Sequence, residues 1–250
     1  METLLIPSRF RGPDRSGNGG WTAGALASAL GGRVPTPQPP VEVTLRTPPP
    51  LDRSLDVRVE GDHATLADGE TVVATARLVP QEQAPAPVAG VPLAEARLAA
   101  EKYAGHAEHP FPHCFVCGTA REEGDGLRLF PGAVPPVDGV ERVATTWTPH
   151  ASLADERDPT RVSLPVAWAA LDCPGAWTVD LTGRAIVLGR MTAAVDALPA
   201  IGEEHVVIGG LLGNEGRKWF TASSVHDLDG RVVARARHTW IEIDPSAFNG

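Results

Sequence analysis

Two stretches of the chain carry apolar or small residues at almost every position. Asn18 to Leu30 has no charge at all, and Val166 to Val179 has one, Asp172. Helices that are apolar all round are buried on every side. Asn18 and Ser163 are suitable N-cap residues for the two. Gly31-Gly32 can close the first, and Pro165 sits in the first turn of the second, where proline is tolerated. Pro174-Gly175 is expected to break the second helix just after Asp172.

After each helix the pattern changes to short alternating runs. Val41 to Arg46, a bend at Pro48-Pro49-Pro50 and Leu55 to Val59 form one strand–bend–strand unit. Ile186 to Val195, a bend at Pro199 and His205 to Leu212 form another. Downstream of each comes an Asp-Gly pair leading into a valine-rich strand. Asp68-Gly69 precedes Val72 to Arg77, and Asp229-Gly230 precedes Val232 to Arg237. Asp-Gly between such runs is a strong hairpin signal. The same order thus occurs twice, as an internal repeat. Between the copies, Pro80 to Val91 is rich in Pro, Ala and Gln and reads as a linker. Leu93 to Tyr103 follows as a short amphipathic helix, expected to pack across the join. The expected organisation is one domain over residues 1–85, a linker with a short helix over 86–110, and a second domain over 111–246.

Composition narrows the function classes. The chain of 250 residues is 42% hydrophobic, enough for a core. Its net charge of −9 makes it a poor candidate for nucleic acid, which needs a basic face. No apolar run reaches the ~18 residues of a membrane span, so no membrane association is expected. The first ten residues do not resemble a signal peptide. Cys114, Cys117 and Cys173 are too few, and odd in number, for a disulfide framework, which fits a cytoplasmic location.

A long buried helix followed by curled antiparallel strands resembles the hotdog fold, and the acyl-CoA thioesterase branch in particular. Cys114-Phe115-Val116-Cys117-Gly118, followed by Gly126-Leu127-Arg128-Leu129, is similar to the opening of many phenylacetate-type thioesterase-like proteins. Asn18-Gly19-Gly20-Trp21 resembles their helix start, and Gly183 to Ile243, with its Gly216-Arg217-Lys218 turn, their strand-rich part. The resemblance covers most of the chain, in two copies. It implies an α+β double hotdog, with two curled antiparallel sheets each wrapped around a long central helix.

The chemistry centres on Asp172. A lone carboxylate in an apolar helix is costly unless paired, and such groups often have raised pKa values and catalytic roles. It could equally cap backbone N–H groups freed at Pro174-Gly175. The resemblance favours a general base or nucleophile. Gly19 and Gly20 lie where the first helix presents unpaired N–H groups and a positive dipole end, suited to a thioester oxygen. They could also serve only as a tight loop entering a crowded helix. A shift of 145 positions sets Asn18-Gly19-Gly20 on Ser163-Leu164-Pro165 and Ala27 on Asp172. The first copy keeps the glycines and lacks the carboxylate; the second does the reverse. In hotdog dimers of the resembling type each site draws its glycine from one protomer and its carboxylate from the other. The implied arrangement is one composite site of Asn18, Gly19, Gly20 and Asp172, beside an inert counterpart. Asn18 either positions the carbonyl or water, or only caps the helix.

Three function classes follow: a thioesterase on acyl-CoA or a carrier-bound acyl group, a non-catalytic acyl-CoA binder, or a hotdog dehydratase or hydratase. The last usually pairs its acid with a nearby histidine, which the residues after Asp172 do not supply. No cofactor is expected beyond CoA as part of the substrate. Cys114 and Cys117, with His109 and His113, could supply four zinc ligands. There is no second CxxC, however, and the resembling family carries this segment without a metal, so none is expected. Arg235 and Arg237 either face solvent or meet CoA phosphates. Trp21, Trp168 and Trp177 could narrow an acyl tunnel. Oligomeric state stays open between a monomer and a homodimer paired through the sheets.

Overall fold

The computed structural model describes residues 2–31, 37 and 39–244. Gly32 and residues 245–246, which the sequence reading includes, lie outside them. The elements run β1 (Glu2–Leu5), α1 (Gly19–Gly31), β2 (Val41–Leu45), β3 (Ser54–Glu60), β4 (His63–Asp68), β5 (Thr71–Leu78), α2 (Leu93–Ala100), β6 (Gly132–Val137), β7 (Val140–Trp147), α3 (Leu164–Ala176), β8 (Ala185–Val195), β9 (His205–Glu215), β10 (Lys218–His226) and β11 (Val232–Ile243).

The apolar stretches are α1 and α3, 13 residues each and about 20 Å long. They pack against each other, which is why neither has a polar face. Gly20 and Gly24, one turn apart on α1, let α3 come close. A Cβ on Gly20 would stand 2.5 Å from Asp172 Cβ, and one on Gly24 would stand 2.7 Å from Trp168 Cβ. The Trp168 side chain, 1% exposed, lies over this glycine step.

Pro174 does not end α3, contrary to the sequence expectation; the helix runs to Ala176 with the proline inside it. The surrounding sheet stabilises the turn that proline weakens. Ser223 Oγ donates to the Leu171 carbonyl at 2.5 Å, and Trp177 N–H closes the helix on Cys173 O at 3.1 Å. Gly209 of β9 makes room, since a Cβ there would stand 2.1 Å from Pro174 O.

The expectation of two separate sheets is corrected. The strands form one 11-stranded antiparallel sheet in the order β1-β3-β4-β5-β2-β8-β11-β10-β9-β7-β6. The seam is β2 against β8, with Val41 opposite Ala193 and Val43 opposite Met191. Each half would otherwise expose a strand edge with unpaired backbone groups, and the two edges satisfy each other. The two halves run outward from that seam as near mirror orders. The Asp-Gly turns sit between β4 and β5 and between β10 and β11, with Gly69 and Gly230 at φ of +60° and +78°.

The short helix is also placed differently. α2 ends at Ala100 rather than Tyr103, and it packs on β6 and β7 of the second half rather than across the join. Its buried Ala96 and Ala99 belong to a satellite core with Val88, Val134, Ala144 and Ile208. The main core encloses α1 and α3 together, so the two halves share one interior.

Candidate functional site

Asp172 lies near the end of α3, 2% exposed, and reaches across to the start of α1. Its Oδ2 accepts two hydrogen bonds from the other half of the chain, from Gly20 N–H at 2.9 Å and from Asn18 Nδ2 at 2.9 Å. Asn18 also caps the helix, its Oδ1 accepting Trp21 N–H at 2.8 Å. The one amide thus caps α1 and also bonds the carboxylate of α3. Asp172 therefore bonds the neighbouring helix, not backbone freed at Pro174. Its second oxygen, Oδ1, is buried with no hydrogen-bond partner among the described residues.

Burial pushes the Asp172 carboxyl up to about 7, with the nearby Cys114 adding to the rise, while the bonds from Gly20 and Asn18 pull it down. An acid in that range changes charge near neutrality, as a proton-transfer group requires.

A cavity of about 250 Å³ opens on this point, lined by Asn18, Gly19 and Asp172 together. Gly20 stands behind them, with its N–H on the carboxylate and its missing side chain opposite α3. The crowded-helix reading thus accounts for Gly20's small size, and the helix N-terminus reaches the cavity through Gly19. The far wall is apolar, with Trp177, Leu181, Ile186 and Trp240. Of the three tryptophans expected to narrow it, Trp177 alone lines it: Trp21 stacks on Phe10 at 4.4 Å and Trp168 sits between the helices. The counterpart residues Ala27, Leu164 and Pro165 do not border this cavity.

Part of the roof comes from the segment before β6, which the repeat does not predict. Phe115 N–H bonds Arg11 O at 2.8 Å, and Arg121, 8% exposed, holds Asp125 at 2.7 Å while donating to Arg9 O at 2.8 Å. These bonds dock the Cys114–Gly118 turn onto the residues that lead into α1. Cys114 and Cys117 then meet Cys173, the neighbour of Asp172 on α3. The three sulfurs lie within 4.8 Å of one another and border the cavity. Hydrogen bonds from the Cys117 and Cys173 side chains, then from backbone N–H groups of Cys117 and Val116, hold Cys114 well below the usual thiol range despite burial. Sequence reading missed Cys173 as a partner. The signal available was that the chain's one remaining cysteine lies beside the one carboxylate of α3.

The neighbouring histidines behave differently from the sequence grouping. His113 turns away to Asp14 at 2.9 Å. His109 uses both ring nitrogens, Nδ1 accepting Phe111 N–H at 2.9 Å and Nε2 meeting Cys117 O at 3.0 Å. Arg235 is tied to Asp196 and to Pro85 O, Arg237 is exposed, and neither borders the cavity. The arginine that does is Arg46, exposed at the cavity edge after β2.

No protein-family model matches the chain. No curated protein matches it either. Solved structures do. It aligns with a tesB protein of Mycobacterium avium subspecies paratuberculosis at TM-score 0.59 and 12% identity, covering 96% of this chain and 92% of that one. A protein described as a thioesterase II of Thermobifida fusca aligns at TM-score 0.58 and 14% identity, over 96% and 91% of the two chains. A protein of Alicyclobacillus acidocaldarius described by its hot dog fold aligns at 0.55 and 14%, over 96% and 92%. No described helix is long and apolar enough to cross a membrane. Likeness at this identity over nearly the full length establishes the architecture: the chain is a double hotdog, on the plan shared with structures named as thioesterases.

Proposed function

We propose that the protein hydrolyses an acyl thioester, of CoA or a carrier, at one composite site made by the two repeats. The observation that carries this reading is the meeting of Asp172 with Asn18 and Gly20 at 2.9 Å, across the helix pair and beside a cavity. Each repeat supplies the part the other lacks. The thioesterase names of the structural relatives support the same class.

In the proposed reaction the acyl group lies on the apolar wall formed by Trp177, Leu181 and Trp240. The cavity's volume of about 250 Å³ suits a short or compact acyl group. The thioester carbonyl faces Gly19, where the positive end of α1 stabilises the oxyanion of the tetrahedral intermediate. Gly20 N–H, engaged by Asp172, holds the carboxylate in place rather than binding the substrate. Oδ1 of Asp172, the oxygen without a partner among the described residues, removes a proton from water as hydroxide adds to the carbonyl carbon. Collapse breaks the C–S bond, and the leaving sulfur takes the proton back from Asp172 to depart as a thiol. Alternatively, Oδ1 adds to the carbonyl itself, expels the thiolate and forms a mixed anhydride that water then opens. Arg46 supplies a cation at the cavity edge for the phosphates of CoA.

The test is thiol release from short, medium and aromatic acyl-CoAs, comparing wild type with Asp172→Asn. Turnover that falls at least ~10²-fold in the variant, with acyl-CoA binding retained, supports the reading. Binding without turnover in the wild type supports a non-catalytic acyl-CoA binder instead. A single turnover in ¹⁸O-water separates the two routes, because the anhydride route can leave label in Asp172.

A further inference from the structure

We infer that Cys114, Cys117 and Cys173 form a three-thiolate site for a thiophilic divalent cation of the zinc type, with its remaining coordination position open to the cavity. This departs from the absence of metal expected from sequence, where Cys173 lies far from the CxxC pair.

The geometry is that of a ligand set. All three side chains are buried, at 3%, 4% and 7% exposure, and their sulfurs lie within 4.8 Å of one another. Cys114 and Cys173 are 3.7 Å apart. Zinc–sulfur bonds of about 2.3 Å in a tetrahedron place sulfurs about 3.8 Å apart. The sulfurs come from two rigid supports. One is the tight Cys114–Gly118 turn, closed by Gly118 N–H on Cys114 O at 2.9 Å; the other is α3. Gly118 is required there, since a Cβ would stand 2.4 Å from Cys114 O.

The donor beside Cys114 points the same way. Asn18 Nδ2 stands 3.9 Å from its sulfur. A metal-bound thiolate is oriented by such a donor. Two simpler readings leave a cysteine over. A disulfide needs two sulfurs, at about 2.05 Å, and a nucleophile needs one. A cation uses all three. His109 does not complete the set, because both its nitrogens are occupied, so among the described residues three protein ligands remain and the cavity supplies the fourth position. Three ligands and an open position is the arrangement of catalytic rather than structural zinc. Asn18, touching both Cys114 and Asp172, joins this cluster to the composite site.

The test is binding, independent of turnover, so its failure leaves the hydrolase reading intact. Reduced, chelator-stripped protein is titrated with Zn²⁺ against a chromophoric chelator, and with Co²⁺ by absorption. The expected result is one equivalent bound, with a thiolate-to-cobalt charge-transfer band. Cys173→Ser should lose about a third of that band and bind Zn²⁺ more weakly. If that variant fails to fold, the band intensity per cobalt in wild type still reports the number of thiolates. No saturable binding would overturn the site. So would binding that all three single Cys→Ser variants leave unchanged. A two-hydrogen mass deficit with a single titratable thiol in the isolated protein would overturn it in favour of a disulfide.

Discussion

At the scale of single residues, position 20 shows how packing and chemistry share one atom. Its backbone N–H holds Asp172, and its bare Cα lets α3 approach. Gly20→Ala should cost about 1–3 kcal/mol, because the added carbon meets Asp172 Cβ and, at 2.9 Å, the Trp168 carbonyl, which cannot rotate away. Urea unfolding would measure the loss, and activity should fall with it as Asp172 is displaced. His238 offers a second test. Buried between α3 and the sheet, with Nδ1 on the Thr221 hydroxyl at 3.1 Å, it is held by desolvation at about 4. A lowered histidine pKa means that the folded state resists protonation. Its stabilising contribution is therefore full above pH ~6.5 and is lost as pH falls toward 4, up to about 3 kcal/mol. His238→Asn should flatten this part of the stability–pH curve; an unchanged curve would show that other groups cause the acid loss. Asp172 and Asn18 were legible in sequence because a lone charge and a cap stand out in an apolar run. Cys173 was not, because cysteine among Leu, Ala and Trp reads as another small hydrophobe, and its partner lies 59 residues away.

At the scale of elements, the clearest signals were local ones. The Asp-Gly turns, the all-apolar helices and the proline bends each declare themselves within a few residues, and each appears where the pattern places it. Boundaries decided by tertiary packing were less legible. Pro174 continues a helix because Ser223 and the close approach of Gly209 stabilise that turn from outside it. β6 is hard to read from sequence, since Pro135 and Pro136 cannot donate to a ladder. It is tolerated as the outermost strand, with its pairing to β7 shifting register between Val134 and Val137. α2 looked like a bridge between the halves because its sequence shows an apolar stripe and not what the stripe covers. The covered surface is β6 and β7.

At the scale of the whole molecule, the two repeats have diverged into dependence on each other. Three structures cross from one to the other: the β2–β8 seam, the α1–α3 pair and the roof segment that docks on the residues before α1. At the seam and in the helix pair, the apolar residues of one half are covered by the other. Val41 and Val43 are 2% and 1% exposed, and Leu26 and Leu171 are fully buried. Separated halves would therefore expose a bare strand edge and an apolar helix. The expected outcome is one cooperative unfolding transition for the full chain, with heat and denaturant detected alike by tryptophan fluorescence and far-UV circular dichroism. Cutting the coding sequence between residues 85 and 93 should give two pieces that aggregate alone and recover structure when produced together. Two independently melting pieces would mean that each repeat keeps a closed core of its own. The composite site would then be a contact between finished domains rather than part of a shared interior. A single transition, lost together with activity on separation, would tie the site to the fused pair: the carboxylate of one repeat has its hydrogen-bond donors only when the helix of the other is in place.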